Sequence, residues 1–292
     1  LATVKLVAEV FQLFGRALWS AHLDGCYAIA KGAAYSGLLS FFPVLTTLTA
    51  ILVQANAKSV SSNLSRFFFE VVPPGSEEFV LYVFAERGTR PIWLLVVATI
   101  LAIWAASGVM VSLMDGFQAA YRFKNSRNFW RQRGVAIALV FAVALPAIGA
   151  SALLFFGETV ERAVLVGLGF DARSIGTGLL WLSAITRIAI TFGTVVFVTT
   201  MLYRFGPSRP RSYRRLWPGA VVATLLWLTA TSAFSWYVKN IGSYNVLYGS
   251  IGAVIALLVW LYLLAGIALV GCEFNAEGER DCRAGKRRVL FS

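Results

Sequence analysis

Apolar residues fill six long stretches of this chain, and charged residues gather between them. Uncharged runs occupy Gly32–Ala57, Ile92–Met114, Gly134–Gly157, Ile188–Tyr203, Leu216–Val238 and Asn240–Cys272. A bilayer's hydrocarbon core is about 30 Å thick, so a helix of roughly 20 apolar residues crosses it. Five of the runs reach that length unaided. The fourth reaches it only if its helix begins near Gly176 and takes Arg187 into the membrane. The pattern predicts an all-α, polytopic membrane protein with six transmembrane helices, at about 33–53, 92–114, 134–157, 176–203, 216–238 and 248–272.

The segments between the spans carry patterns of their own. Val7, Val10, Phe11, Phe14 and Leu18 recur at helical spacing, away from Lys5, Glu9 and Arg16. Residues 1–31 therefore read as a cytoplasmic amphipathic segment, resting on the membrane face or packed against the spans. After the first span, Leu64, Phe67, Phe68 and Val71 form an apolar stripe that Pro73-Pro74-Gly75 ends. Ser76 followed by Glu77 and Glu78 has the signature of a helix start, so two short interfacial helices are expected there. Ala98, Ala102 and Ala106, then Ala138, Ala142, Pro146 and Ala150, give small-residue faces suited to close helix approach or to self-association as a homo-oligomer. Trp93, Trp104, Trp130, Trp181, Trp217 and Trp260 fall mostly near span ends, as an interfacial aromatic belt requires. No internal repeat of the inverted-transporter kind is visible.

Charge then sets the expected orientation. The chain is 58% hydrophobic and 14% charged, with 26 basic against 14 acidic residues and a net charge of +12. With the N-terminus inside, eighteen of the basic residues fall on the inner side, against seven on the outer. The acids divide equally between the two sides. The positive-inside rule then predicts an N-in, C-in protein of the cytoplasmic (inner) membrane, with 273–292 as a basic cytoplasmic tail. Such loops suit anionic membrane lipids as partners better than nucleic acid. Cys26, Cys272 and Cys282 all fall inside and lack Cys-x-x-Cys spacing, so reduced thiols are expected. The first twenty residues lack the compact apolar core of a cleavable signal sequence.

Candidate chemistry is sparse. Arg187 would lie about 16 Å into the fourth span, where an arginine must face a cavity or a partner. It is a candidate to hold an anionic group of a transported molecule, or else a structural tie to helix carbonyls, Asp115 or Glu158. Tyr35, Ser36 and Ser40 make the first span polar for a lipid-facing helix, and Pro43 frees backbone groups within it. The segment 242–252 brings Tyr244, Asn245 and Tyr248 among three glycines, which suits either a broken, cavity-lining entry to span six or an ordinary turn before a straight helix. Glu273 and Glu277 share a helix face at the inner end, intermixed with Arg280 and Arg283, as on a solvated surface. The single histidine, His22, leaves little scope for His-based metal sites or a Ser-His triad, and no phosphate-binding loop is present. No enzymatic activity, cofactor or metal is expected.

Three stretches together resemble one family. They are Ala33-Ala-Tyr-Ser-Gly-Leu-Leu-Ser-Phe-Phe-Pro43; Leu202-Tyr-Arg-Phe-Gly-Pro207 leading to Trp217-Pro-Gly-Ala220; and Tyr248-Gly-Ser-Ile-Gly-Ala253 leading through Trp260-Leu-Tyr262 to Gly271-Cys-Glu-Phe-Asn-Ala276. Their order and content are similar to the YihY/virulence factor BrkB family of bacterial inner-membrane proteins. The resemblance implies about six spans in the cytoplasmic membrane and no settled activity; an older label, ribonuclease BN, is regarded there as a misassignment. Gly206 departs from the family pattern, which has a larger apolar residue before Pro207, and a looser end to span four is expected. These readings favour a transporter-like or flippase-like carrier of an anionic or amphipathic envelope molecule, its cavity lined by spans one, four and six. A non-transporting scaffold that binds anionic lipid or partner proteins is the alternative, and a ribonuclease a distant third.

Overall fold

A computed structural model describes residues 2–54, 92–123, 127–167, 177–209, 212–241 and 244–285. Within them the chain folds into seven long helices: α1 (Ala2–Leu23), α2 (Cys26–Gln54), α3 (Ile92–Ala120), α4 (Phe129–Gly167), α5 (Thr177–Phe205), α6 (Trp217–Ile241) and α7 (Tyr244–Arg283). Helices α2 to α7 each contain a stretch long and apolar enough to cross a membrane. The outer segment expected to hold two interfacial helices lies outside the described residues.

Neighbours in sequence are neighbours in space, from α2 beside α3 round to α6 beside α7. Helix α7 takes the central place and packs against α1, α2, α3 and α6. The α1–α2 corner, the end of α7, the α3–α4 connection and the α5–α6 connection meet at one end of the bundle. The basic residues of those segments make this the basic end. Trp19, Trp130 and Trp217 are exposed near it, and Trp93 and Trp236 are exposed toward the other. That disposition matches the two interfacial levels of a bilayer.

The buried core is concentrated at the basic end. Met114, Phe117, Tyr203, Leu216, Leu269 and Cys272 interlock there, among alanines of α2, α3, α6 and α7. Lipid provides no hydrophobic drive for helix association, so close backbone approach and interhelical hydrogen bonds must hold such a core. Both are present between α6 and α7. A Cβ added to Gly219 would overlap the carbonyl oxygen of Gly271. One added to Gly271 would lie 2.7 Å from the carbonyl oxygen of Gly219 and 2.8 Å from Cβ of Ala223. Asn275 clasps this crossing: its Oδ1 accepts from the Gly219 N–H at 2.8 Å, and its Nδ2 donates to the Leu216 carbonyl at 2.8 Å. The side chain thereby satisfies one of the free N–H groups in the first turn of α6.

Helix α5 joins through Tyr203, whose buried hydroxyl donates to the Ala268 carbonyl at 2.7 Å while its ring meets Phe117 edge-on. Gly116 of α3 makes room for the Leu269 side chain of α7, which a Cβ there would overlap. The small-residue faces read from sequence contribute unevenly: Ala102 and Ala150 are buried, whereas Ala138 is exposed.

Gly206 does not loosen the end of α5. It is buried, and a Cβ on it would lie 2.5 Å from the Phe117 ring, so only glycine leaves room for that ring. Arg127 fastens the same turn by donating to the carbonyls of Phe205, Gly206 and Pro207 at 3.1, 2.8 and 2.8 Å. These are carbonyls that the end of α5 leaves without helical partners.

Two substitutions test the crossing. Asn275→Leu leaves a buried N–H and a buried carbonyl unpaired, and a loss of about 2 kcal/mol is expected. Gly271→Ala must push α6 off α7 because the opposing atoms include backbone, and a lower melting temperature is expected. Unfolding of the purified protein in detergent measures both.

Candidate functional site

The densest polar constellation lies where α1, α2, α3 and α7 meet at the basic end. Helix α7 runs eleven residues past Cys272, so the first half of the expected cytoplasmic tail is helix packed against α1. This burial corrects the expectation of a solvated face. Glu273 is 0% exposed and Glu277 6%, because α1 and the start of α2 cover the side of α7 that carries them.

Guanidinium groups meet most of these carboxylates. Arg16 donates through Nη1 to both oxygens of Asp281, at 3.0 and 2.9 Å, and through Nη2 to Glu277 at 2.5 Å. The hydrogen bond to Asp281 leads in raising the Arg16 guanidinium above its ordinary value, partly opposed by burial. Ser20 donates to Glu277 at 2.9 Å, and Arg280 makes a short charged hydrogen bond to the same carboxylate. Arg280 also donates to the last carbonyl of α3, on Ala120, at 2.5 Å.

Asp24 occupies the α1–α2 corner, which turns through Gly25 at φ +72°. It accepts from Arg122 Nε at 3.1 and 3.3 Å and lies 3.6 Å from Arg280. Arg122 itself has φ +53°, an uncommon value for a side-chain-bearing residue, held by this bond across the corner. Among the described residues no group of three or more His, Cys, Asp or Glu side chains is arranged to hold a metal ion.

The other candidate residues lie away from this constellation. On α2, Tyr35 is 61% exposed. Ser36 faces α3, where a Cβ on Gly108 would lie 3.6 Å from it, and Ser40 donates to its own helix at the Gly37 carbonyl, 2.8 Å away. Ser36 thus serves helix contact, and Ser40 bonds back to its own helix. Tyr244, Asn245 and Tyr248 occupy the first turns of α7, which runs on without a break from Tyr244; their side chains lie outside the described residues, as does that of Glu158. Asp115 accepts from Gln132 at 2.7 Å.

Arg187 is part-buried, ten residues into α5 and so ~15 Å along it. A groove of about 530 Å³ runs between α4 and α5, lined by Pro146, Gly149 and Ala150 on one side and Ile190, Gly193 and Phe197 on the other. Arg187, Ile190, Thr194 and Phe197 follow three- and four-residue spacing, so the arginine shares the groove's helix face, one turn beyond its wall. This groove lies between spans three and four, not among spans one, four and six, where a cavity was expected. Pro146 and Ala150 read from the sequence only as part of a packing face.

These features define a multi-pass α-helical membrane protein with a tightly ion-paired basic end. The chain belongs to the virulence factor BrkB family, which matches residues 18–289. It is similar to a ribonuclease-like protein, YfkH, of Bacillus subtilis (strain 168), at 31% identity covering 83% of this chain and 86% of that protein. It is also similar to a UPF0761 membrane protein of Alteromonas mediterranea, at 27% identity over 94% of this chain and 90% of the other. A UPF0761 membrane protein of Neisseria meningitidis serogroup B is 27% identical over 85% of this chain but 58% of its own length. No solved structure matches the chain.

Arg280 and Arg283 make a direct comparison. Arg280 touches buried Glu273, Glu277 and the α3 end, whereas Arg283 is exposed and lies 3.7 Å from Glu279. Arg280→Met is expected to destabilise the protein by about 2 kcal/mol, toward the lower side for a broken buried pair because Arg280 keeps some solvent contact. Arg283→Met is expected to change stability by less than about 0.5 kcal/mol. Melting curves of the two variants against the wild type check the order.

Proposed function

We propose that this protein is a carrier of an anionic, amphipathic envelope molecule in the bacterial cytoplasmic membrane, with the basic end on the cytoplasmic side. The observation that supports it is the alignment of Arg187 with the apolar groove between α4 and α5. An acyl chain fits a groove lined by Ile190, Phe197 and Leu153, and glycines on both walls let it approach the helix backbones. A negative headgroup at its mouth would meet a guanidinium whose planar fork suits phosphate or carboxylate. The charge excess at the basic end supports the orientation through the positive-inside rule.

One observation favours the scaffold reading instead: the helices are most tightly packed where α7 crosses α3, α5 and α6, and a fixed core suits a static organiser of lipid or partner proteins. The ribonuclease-like name belongs to the Bacillus relative. In this chain Arg16, Arg122 and Arg280 engage Asp24, Glu277 and Asp281, which leaves poor scope for metal-assisted phosphodiester cleavage.

Mass spectrometry of lipids and small molecules that co-purify with the wild type and with Arg187→Leu separates the two readings. The carrier reading expects a specific anionic species in the wild type, reduced about tenfold in the variant, the effect of one lost charge-assisted contact. Gly193→Leu, which fills the groove, is expected to reduce the same species. Identical, bulk-like lipid in all three proteins would leave the scaffold.

A further inference from the structure

Four carboxyl groups meet three guanidinium groups at the α1–α2–α7 junction. Asp24 takes Arg122, Glu277 takes Arg16 and Arg280, and Asp281 takes Arg16. Glu273 is the carboxyl left over. It is the most deeply buried of the four, at 0% exposure. Its Oε2 has no hydrogen-bond partner among the described residues, and its nearest guanidinium nitrogen, on Arg280, is 3.8 Å away. Its Oε1 meets only the weak donor Sγ of Cys26, at 3.8 Å. Arg280 is shared among Glu277, Asp24 and the Ala120 carbonyl, and it stands 3.8 Å from Glu273 without a hydrogen bond to it.

An ionised carboxylate enclosed in this way lacks the donors that normally offset loss of water. The facing groups do not supply them. Asp24 comes from the α1–α2 corner, Cys26 from α2, Arg16 and Ser20 from α1, Arg122 from beyond α3, and Cys272, Glu277 and Arg280 from α7 itself. Among them the Asp24 carboxylate, which also accepts from Arg122, can accept a bond from a protonated Glu273.

We propose that Glu273 is a proton-binding site: it holds a proton while α1 and the α1–α2 corner are packed on α7, and releases it to the basic-end solvent when that corner lifts. The step balances simply. The O–H bond of the Glu273 carboxylic acid breaks, the proton passes to water, and the carboxylate gains hydration that the packed state denies it. The junction then has one charge of each sign per pair when closed and one unmatched negative charge when open. This inference does not rest on the carrier reading, although a carrier with such a site would have a means of responding to proton concentration on one face.

The test is an infrared titration of the purified full chain in lipid nanodiscs, followed through the C=O stretch of protonated carboxylic acids, with a thermal melt at each pH. At about pH 7 the wild type is expected to show a buried carboxylic-acid band that Glu273→Gln abolishes. The sign of the stability effect follows from linkage. A glutamate in the unfolded chain is ionised above about pH 4.3, so a proton kept only by the folded state stabilises it less as pH rises. From about pH 6 to about pH 9 the wild type should lose several degrees of melting temperature relative to Glu273→Gln. No band in the wild type, a band that persists in Glu273→Gln, or parallel melting profiles would overturn the proposal. So would a Glu273→Gln chain that fails to fold, since the amide is the neutral isostere of the acid.

Discussion

The architecture depends on the contact between two glycines, Gly219 of α6 and Gly271 of α7. Neither position has space for a methyl group, and the atoms in the way include backbone oxygens that cannot swing aside. In a solvent as apolar as the helices themselves, attraction between helices comes from such close contact and from hydrogen bonds that lipid cannot offer. Asn275 supplies the bonds, joining the start of α6 to α7 on both its amide atoms. With that crossing set, Tyr203 can reach Ala268, Gly206 can close on Phe117, and the lower part of α7 is held where α1 covers it. The hydrophobic core follows from the polar clasp here, the reverse of the usual order in a water-soluble domain.

The basic end shows the opposite balance of forces. Its many arginines can be read together as one orientation signal, but the structure separates them into two groups. Arg16, Arg122, Arg127 and Arg280 are used inside the protein, on carboxylates or on carbonyls at helix ends. Arg131, Arg209, Arg214 and Arg215 remain exposed, beside the exposed Trp130, Tyr213 and Trp217. Arg283 also stays exposed at the basic end. Net charge therefore overstates how much of this chain is available to lipid headgroups.

The all-helical class and the six membrane-length helices were legible in the sequence because runs without charge are a direct physical signature of lipid burial. The polar junction was not legible. Glu273, Glu277, Arg280 and Asp281 look like an ordinary solvated helix face, and only the arrival of α1, more than 250 residues away in sequence, reverses that reading. Local periodicity cannot report a partner of that separation. The Gly206 contrast has the same origin, since its requirement comes from Phe117 on another helix. Arg187 was conspicuous from its setting alone, but the groove beside it is walled by residues of both α4 and α5, which no single-helix pattern contains.

Helix α7 is 40 residues long, so ~60 Å from end to end, and no proline interrupts it. Its tight fulcrum, at Gly271, lies about 40 Å from its first residue and much nearer to its last. A continuous helix pivoting there acts as an unequal lever. A small displacement at the end of the short arm beneath α1 becomes a sweep about twice as large at the other end of the helix, with the direction fixed by the neighbour it pivots against.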